Sequence, residues 1–200
     1  MRNKIILTSL GAGALLFVCL YGDYNKGNTI LQRDYIKHHK IERKIFEFLV
    51  DEGVDIPPER LLSISKMIYR TSKSHNLDYR LMLAIMKVES NYRHDAVSPK
   101  GARGLLQVKP SLAKYIAKDA GVNWGGKNTL DEPEKNIKIG VYFFSMLMRD
   151  FESLNLALHA YNMGPTKFKK VLSENTRYNK KFSNLVLKEY DRISSILPSP

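Results

Sequence analysis

Cysteine is nearly missing from this chain: Cys19 is the only one in 200 residues, which excludes an internal disulfide framework and a cysteine-based zinc site. Acidic residues are in deficit. Lys and Arg number 32 against 20 Asp and Glu, a formal net charge of +12 at pH 7. That balance suits a polyanionic partner such as nucleic acid, an acidic membrane face or a charged cell-wall polymer, without choosing among them. Strand-like alternation of useful length and internal repeats are both lacking, which leaves helices as the building material. With 44% hydrophobic residues, 12 Gly and 8 Pro, the composition is neither low-complexity nor disordered. The length fits one main domain with a small appendage.

The longest uncharged run lies at the start. Arg2, Asn3 and Lys4 precede Ile5 to Leu20, a basic flank and apolar stretch that resemble the front of a secretory signal. The stretch includes Thr8, Ser9, Gly11 and Gly13 and falls short of the roughly 20 apolar residues that cross a bilayer comfortably. Residues 1–22 are therefore expected to be a signal peptide or a membrane anchor. Cleavage after Gly22 would place the bulky Leu20 where a small residue is favoured. Leu16-Phe17-Val18-Cys19 only faintly resembles a lipoprotein box, since Val18 stands where Gly, Ala or Ser is usual.

After residue 29 apolar residues recur at helical spacing almost everywhere. Ile41, Ile45, Phe48 and Leu49 predict a first helix ending near Asp51-Glu52-Gly53. Pro57-Pro58 then marks a boundary, giving an N-terminal helical extension over 23–58 and a main domain over 59–200. Further helices are predicted from about Glu59 to Ser74, from the N-cap Asp78 to about Ser90, and after Pro110. A long one begins at Pro133, where Gly140 suggests that another backbone packs closely. Leu154 to Tyr161, Thr166 to Ser173 and Tyr178 to Ile196 complete the set, with loops over 91–103 and around Trp124-Gly125-Gly126.

On the helix from Asp78, Met82, Met86 and Glu89 fall at i, i+4 and i+7, so one carboxylate shares a face with two apolar side chains. An apolar edge and the negative end of the helix dipole both disfavour the charged form of Glu89. Raising a glutamate pKa from about 4.3 to about 6 costs roughly 2.3 kcal/mol, within reach of partial burial, and makes a general acid. A solvated glutamate at a fraying helix end fits the same spacing, and periodicity does not decide between the two.

An ordered series of motifs surrounds this residue: Glu89-Ser90; Ala96-Val97-Ser98-Pro99-Lys100-Gly101-Ala102-Arg103-Gly104-Leu105-Leu106-Gln107; Asn136-Ile137 and Gly140; Ala157 to Pro165 around Ala160-Tyr161-Asn162; and Glu174 to Tyr178. Together they resemble the lytic transglycosylase domain of the soluble-lytic-transglycosylase type, over about residues 59–197. The resemblance implies an all-α, lysozyme-like catalytic domain acting on peptidoglycan. It implies that Glu89 is the single catalytic acid and base, that Ser98 hydrogen-bonds it, that Gln107 and Tyr161 line the glycan groove, and that Asn162 helps organise the centre. Tyr178 would pack near the same cleft. The implied reaction cleaves the β-1,4 bond between N-acetylmuramic acid and N-acetylglucosamine and closes a 1,6-anhydro ring, with no metal or cofactor. Lys109 departs from the family, which commonly has methionine there, and no binding role is carried onto it.

Asp95 is the rival acid: if it reached the far face of the sugar it would activate water and make a hydrolytic muramidase. A non-catalytic peptidoglycan-binding component of a secretion or conjugation apparatus is the alternative from another class. Export argues against the nucleic-acid partner that the charge alone would allow. The expected setting is exported, periplasmic or cell-envelope, with glycan strands as the partner and membrane attachment through residues 5–20 if the leader is retained. Adjacent His38 and His39 point to different helix faces and read as solvated rather than metal ligands, His94 as exposed, and His159 as structural. Trp124 would stack on a sugar or anchor its loop. The basic runs Lys167 to Lys170 and Lys180-Lys181 read as solvated helix faces.

Overall fold

The computed structural model describes residues 32–200; the expected signal or anchor over 1–22 lies outside the described residues. The chain divides into two compact units, residues 1–40 and 41–200. In the first, the described residues 32–40 are helical and mostly exposed, with the Tyr35 ring edge-on to His39 at 4.2 Å.

The second unit opens on a helix, α1, over 41–51. Its Ile41, Ile45, Phe48 and Leu49 are all buried, one apolar face at the predicted spacing. Helix α2 (Pro58–Ser74) places Pro58 in its first turn, where the missing N–H costs nothing, and buries Leu61, Ile64, Ile68 and Tyr69. Helix α3 (Tyr79–Ser90) starts at Asp78, whose carboxylate accepts the Arg80 N–H at 2.8 Å. Leu81 through Met86 are all buried, which makes α3 apolar all round and central. Asn91 (φ 51°) and Tyr92 (φ 62°) then turn the chain out of the helix in left-handed conformations.

Helix α4 (Pro110–Ile116) and a short 3-10 turn (Lys127–Asp131) follow. The long α5 (Pro133–Phe151) packs on α2 and on α6 (Leu154–Met163), which also touches α7 (Pro165–Ser173) and α8 (Lys181–Ile196). Helix α8 lies along α3, and Tyr190 ties its middle to the start of α3 by donating to Asp78 at 2.9 Å. Isolated bridges at Val97–Arg103 and Arg103–Val108 are the only β pairing among the described residues, so the expected all-α class holds. Among those residues no helix is long and apolar enough to cross a membrane.

Three local expectations change. Helix α8 begins at Lys181, not Tyr178; the chain before it turns through Asn179, whose side chain accepts the Lys181 N–H at 2.7 Å. What presses on Gly140 is the Leu106 side chain, whose Cβ would lie 2.7 Å from an added methyl, and not a backbone. Pro57-Pro58 turns the chain inside the second unit, whose core includes Ile41 to Leu49 and Ile56.

Candidate active site

A cleft of about 510 Å³ opens between the end of α3, the loop that follows it, the start of α4 and the turn from α6 into α7. Glu89 lines it from the last turn of α3. The opposite sides come from Ser98, Lys100, Ala102, Gln107 and Lys109 before α4, and from Tyr161 through Thr166 at the α6–α7 turn. Leu112 and Phe143 add apolar surface.

The loop wall is built from its own hydrogen bonds. Ser98 closes a turn in which Gly101 N–H donates to the Ser98 carbonyl (2.9 Å) while the Ala102 N–H donates to Ser98 Oγ (3.0 Å). Arg103 and Val108 exchange two backbone hydrogen bonds, at 3.0 and 3.1 Å. Gln107, in the left-handed region at φ 45°, donates its amide to the carbonyls of Ala96 and Gly104, both at 3.0 Å. Its NH₂ group thus holds the loop shape while the residue faces the cleft.

Neighbouring elements fix that loop from behind. Ser90 Oγ donates to the Leu105 carbonyl at 2.8 Å. The fully buried Asn136 on α5 accepts the Leu106 N–H at 2.9 Å and donates to the carbonyls of Arg103 (2.9 Å) and Leu130 (3.0 Å). Tyr161 donates its hydroxyl to the Leu106 carbonyl at 2.6 Å, with its ring among Phe143, Phe144 and Phe182. Arg103 is clamped by both carboxylate oxygens of Asp131.

Among the described residues, Glu89 is the only acid lining the cleft. Burial pushes its carboxyl up from 4.5 to about 7, because an ion that loses water without gaining a partner is disfavoured. No hydrogen bond or ion pair to that carboxyl occurs among the described residues. The nearby cation in sequence, Lys87, is committed elsewhere, to Glu52 at 2.7 Å. The Tyr161 hydroxyl is held well above its ordinary pKa by burial and, secondarily, by the charge of Glu89.

Of the six residues singled out in the sequence, Glu89, Ser98, Gln107, Tyr161 and Asn162 line one cleft. Ser98 Oγ accepts the Ala102 N–H, and no hydrogen bond joins Ser98 to Glu89 among the described residues. Tyr178 is not among the lining residues; its ring packs on His159 at 4.6 Å and Phe168 at 5.1 Å. His159 is buried beside Ser183 Oγ at 3.3 Å, the structural part expected of it. Trp124 packs against the core and stays outside the cleft, and Asp95 is exposed and does not line it. Asn136 stands in the motif series, but its motif alone does not show that it pins the loop. Its signal was present, since Asn136, Gly140 and Phe144 fall at i, i+4 and i+8, which puts an amide on a buried face.

A sequence model of the Transglycosylase SLT domain family matches residues 66–184, a stretch that includes the cleft. The soluble lytic murein transglycosylase of Salmonella typhimurium is 30% identical over 106 residues, covering 52% of this chain and 16% of that protein. The membrane-bound lytic murein transglycosylase C of Edwardsiella ictaluri is 37% identical over 136 residues, covering 66% of this chain and 36% of that protein. The chain therefore spans well under half the length of these two relatives. In fold, it superposes on an inactive mutant of the lytic transglycosylase Slt from Pseudomonas aeruginosa with a TM-score of 0.61 at 22% identity, over 86% of this chain and 34% of that one. With more than half of its residues matched, this all-α chain belongs to the Transglycosylase SLT domain family.

Proposed function

We propose that this protein is a peptidoglycan lytic transglycosylase that cleaves the β-1,4 bond between N-acetylmuramic acid and N-acetylglucosamine with Glu89 as its only catalytic carboxyl. The observation that carries this reading is a lone acid, desolvated and raised to about 7, in a cleft that offers no second carboxyl. Near neutral pH a large fraction of Glu89 holds its proton and donates it to the glycosidic oxygen as the bond breaks. The substrate's own N-acetyl group stabilises the positive charge that develops at the sugar carbon. The resulting carboxylate then removes the proton of the muramoyl C6 hydroxyl, whose oxygen closes the 1,6-anhydro ring.

A muramidase needs a second carboxylate about 5 to 9 Å across the sugar to act as nucleophile or to activate water, and Asp95 is outside the cleft. Tyr161 and Gln107 would present the loop wall to the glycan, and Asn162, exposed at the end of α6, would contact it from the other side. The relatives' names place two of them on murein, one as a membrane-bound enzyme. We take the setting of this chain to be the cell envelope, reached through the leader over residues 1–22, with the catalytic machinery in the compact unit over 41–200.

The test is product analysis by mass spectrometry. The full chain should release 1,6-anhydromuramoyl fragments from purified sacculi. The Glu89→Gln variant should lose on the order of a thousandfold in rate with its helical spectrum intact. Reducing ends in place of anhydro ends, or undiminished turnover by Glu89→Gln, would overturn the proposal.

A further inference from the structure

The two walls of the cleft differ in charge. Lys100, on the turn closed by Ser98, and Lys109, the residue before α4, both line the cleft on its loop side. The opposite side, Asn162 through Thr166, carries no charged residue. Both lysines are exposed, and neither has an ion-pair partner among the described residues. Other surface lysines do: Lys135 pairs with Glu132 at 2.8 Å and Lys169 with Asp150 at 3.0 Å. Among the described residues, the one acid that lines the cleft with Lys100 and Lys109 is Glu89, which burial keeps largely uncharged below pH 7. Nothing within the cleft therefore neutralises the two ammonium groups.

A glycan strand of alternating amino sugars is neutral along its backbone. Its charge resides in what hangs from the lactyl ether of every second sugar, a carboxylate or a peptide ending in carboxylates. We propose that Lys100 and Lys109 form a carboxylate-recognition edge, which holds those anionic substituents against the loop wall and fixes which face of the strand meets Glu89. The assignment takes the glycan strand as occupant and so rests on the transglycosylase reading. Lysine suits the task, because a flexible stem carrying a positive charge follows a mobile anion, and any long cationic side chain at these positions would supply the same attraction. Two ammonium groups lining the same wall attract an anion in the cleft together, while the opposite wall carries no charge to add.

The test separates recognition from chemistry by using the Glu89→Gln chain in cosedimentation with two kinds of sacculi, untreated and with carboxylates amidated by carbodiimide and ammonia. Retention on untreated sacculi should exceed retention on amidated ones by about fivefold, the scale of a few exposed charge pairs. Lys100→Gln combined with Lys109→Met should remove that difference, and arginine at both positions should restore it. Lys114→Gln, on α4 but outside the cleft, should leave it in place. Equal retention of the two sacculi by the chain with both lysines, or a difference that survives the double substitution, overturns the assignment. Turnover by the chain with Glu89 intact is scored separately. Anhydro products at equal rates from both sacculi count against the lysine edge alone, whereas their absence from both counts against the transglycosylase reading. Circular dichroism of each variant verifies that helical content is kept.

Discussion

At the scale of the residue, the cost of the site is concentrated in one carboxyl. Glu89 has its pKa raised from 4.5 to about 7 by burial, so the folded state binds its proton more tightly than the unfolded state does. The sign follows from proton linkage: the stability tied to this group is fully present below pH 4.5 and is lost as pH rises to 7. A shift of that size corresponds to about 3 kcal/mol lost by pH 8. Glu89→Gln carries no charge at any pH, so it should match the parent chain near pH 4 and exceed it in stability by up to about 3 kcal/mol at pH 8. Urea titrations of both chains at the two pH values measure this, and a gap that does not widen with pH would place Glu89 in water. Activity should have an alkaline limb centred near pH 7, since the proposed first step requires the protonated acid. The helical spacing of Met82, Met86 and Glu89 revealed the apolar edge but not its depth. Depth depends on Tyr161 and Phe143, which approach from helices more than fifty residues away in sequence.

At the scale of the element, the loop over 96–109 is a shaped wall only because α5 and α6 hold it. Leu106 is the point where the ties meet: its N–H is bound by Asn136, its carbonyl by Tyr161, and its side chain rests on Gly140. Gly140→Ala would place a methyl 2.7 Å from Leu106 Cβ, closer than the side chain can accept without moving. The expected cost is about 2 kcal/mol of stability, together with a fall in turnover as the displaced loop pulls on Tyr161. A double-mutant cycle gives the decisive measurement, because Leu106→Ala vacates the contested space. Gly140→Ala should then cost at least about 1 kcal/mol less in the Leu106→Ala background, and strict additivity would refute the contact. Asn136→Leu should be worse, about 3 kcal/mol or more, since it strands the buried Leu106 N–H and two carbonyls. Gly140 was legible in the sequence as a place of close approach, but what approaches it was not, because the partner lies in a loop with no periodicity to read. Tyr178 shows the same limit from the other side: its place in an ordered motif was readable, while its packing on His159 and Phe168 depends on how α6, α7 and the turn before α8 meet.

At the scale of the whole molecule, helix positions were readable because capping and proline signals act locally; Asp78, Pro110 and Pro133 begin helices in the structure as the sequence indicates. The extent of the compact unit was not readable, because Pro57-Pro58 produces the same break whether the chain turns within a core or leaves it. The structure draws Ile41, Ile45, Phe48, Leu49 and Ile56 into the common core. Polar ties add to the packing: Glu52 takes Lys87 of α3 at 2.7 Å and Arg192 of α8 at 2.6 Å, and these bonds outweigh burial to hold the Glu52 carboxyl below its ordinary pKa. Burying five such side chains stabilises by roughly 10 kcal/mol as an upper bound, comparable to the entire stability of a domain, about 5 to 15 kcal/mol. A chain beginning at Glu59 should therefore fail to fold cooperatively, although it retains Glu89 and every other residue that lines the cleft. Phe48→Ala in the full chain tests the same packing more gently. Its ring meets Tyr92 edge-on at 6.4 Å and lies under the Arg192 guanidinium at 5.6 Å, so truncation should cost about 3 to 4 kcal/mol and still leave a folded protein. A sharp melting transition from the fragment starting at Glu59, at the temperature of the full chain, would show instead that the segment before Pro57 is dispensable to the catalytic unit.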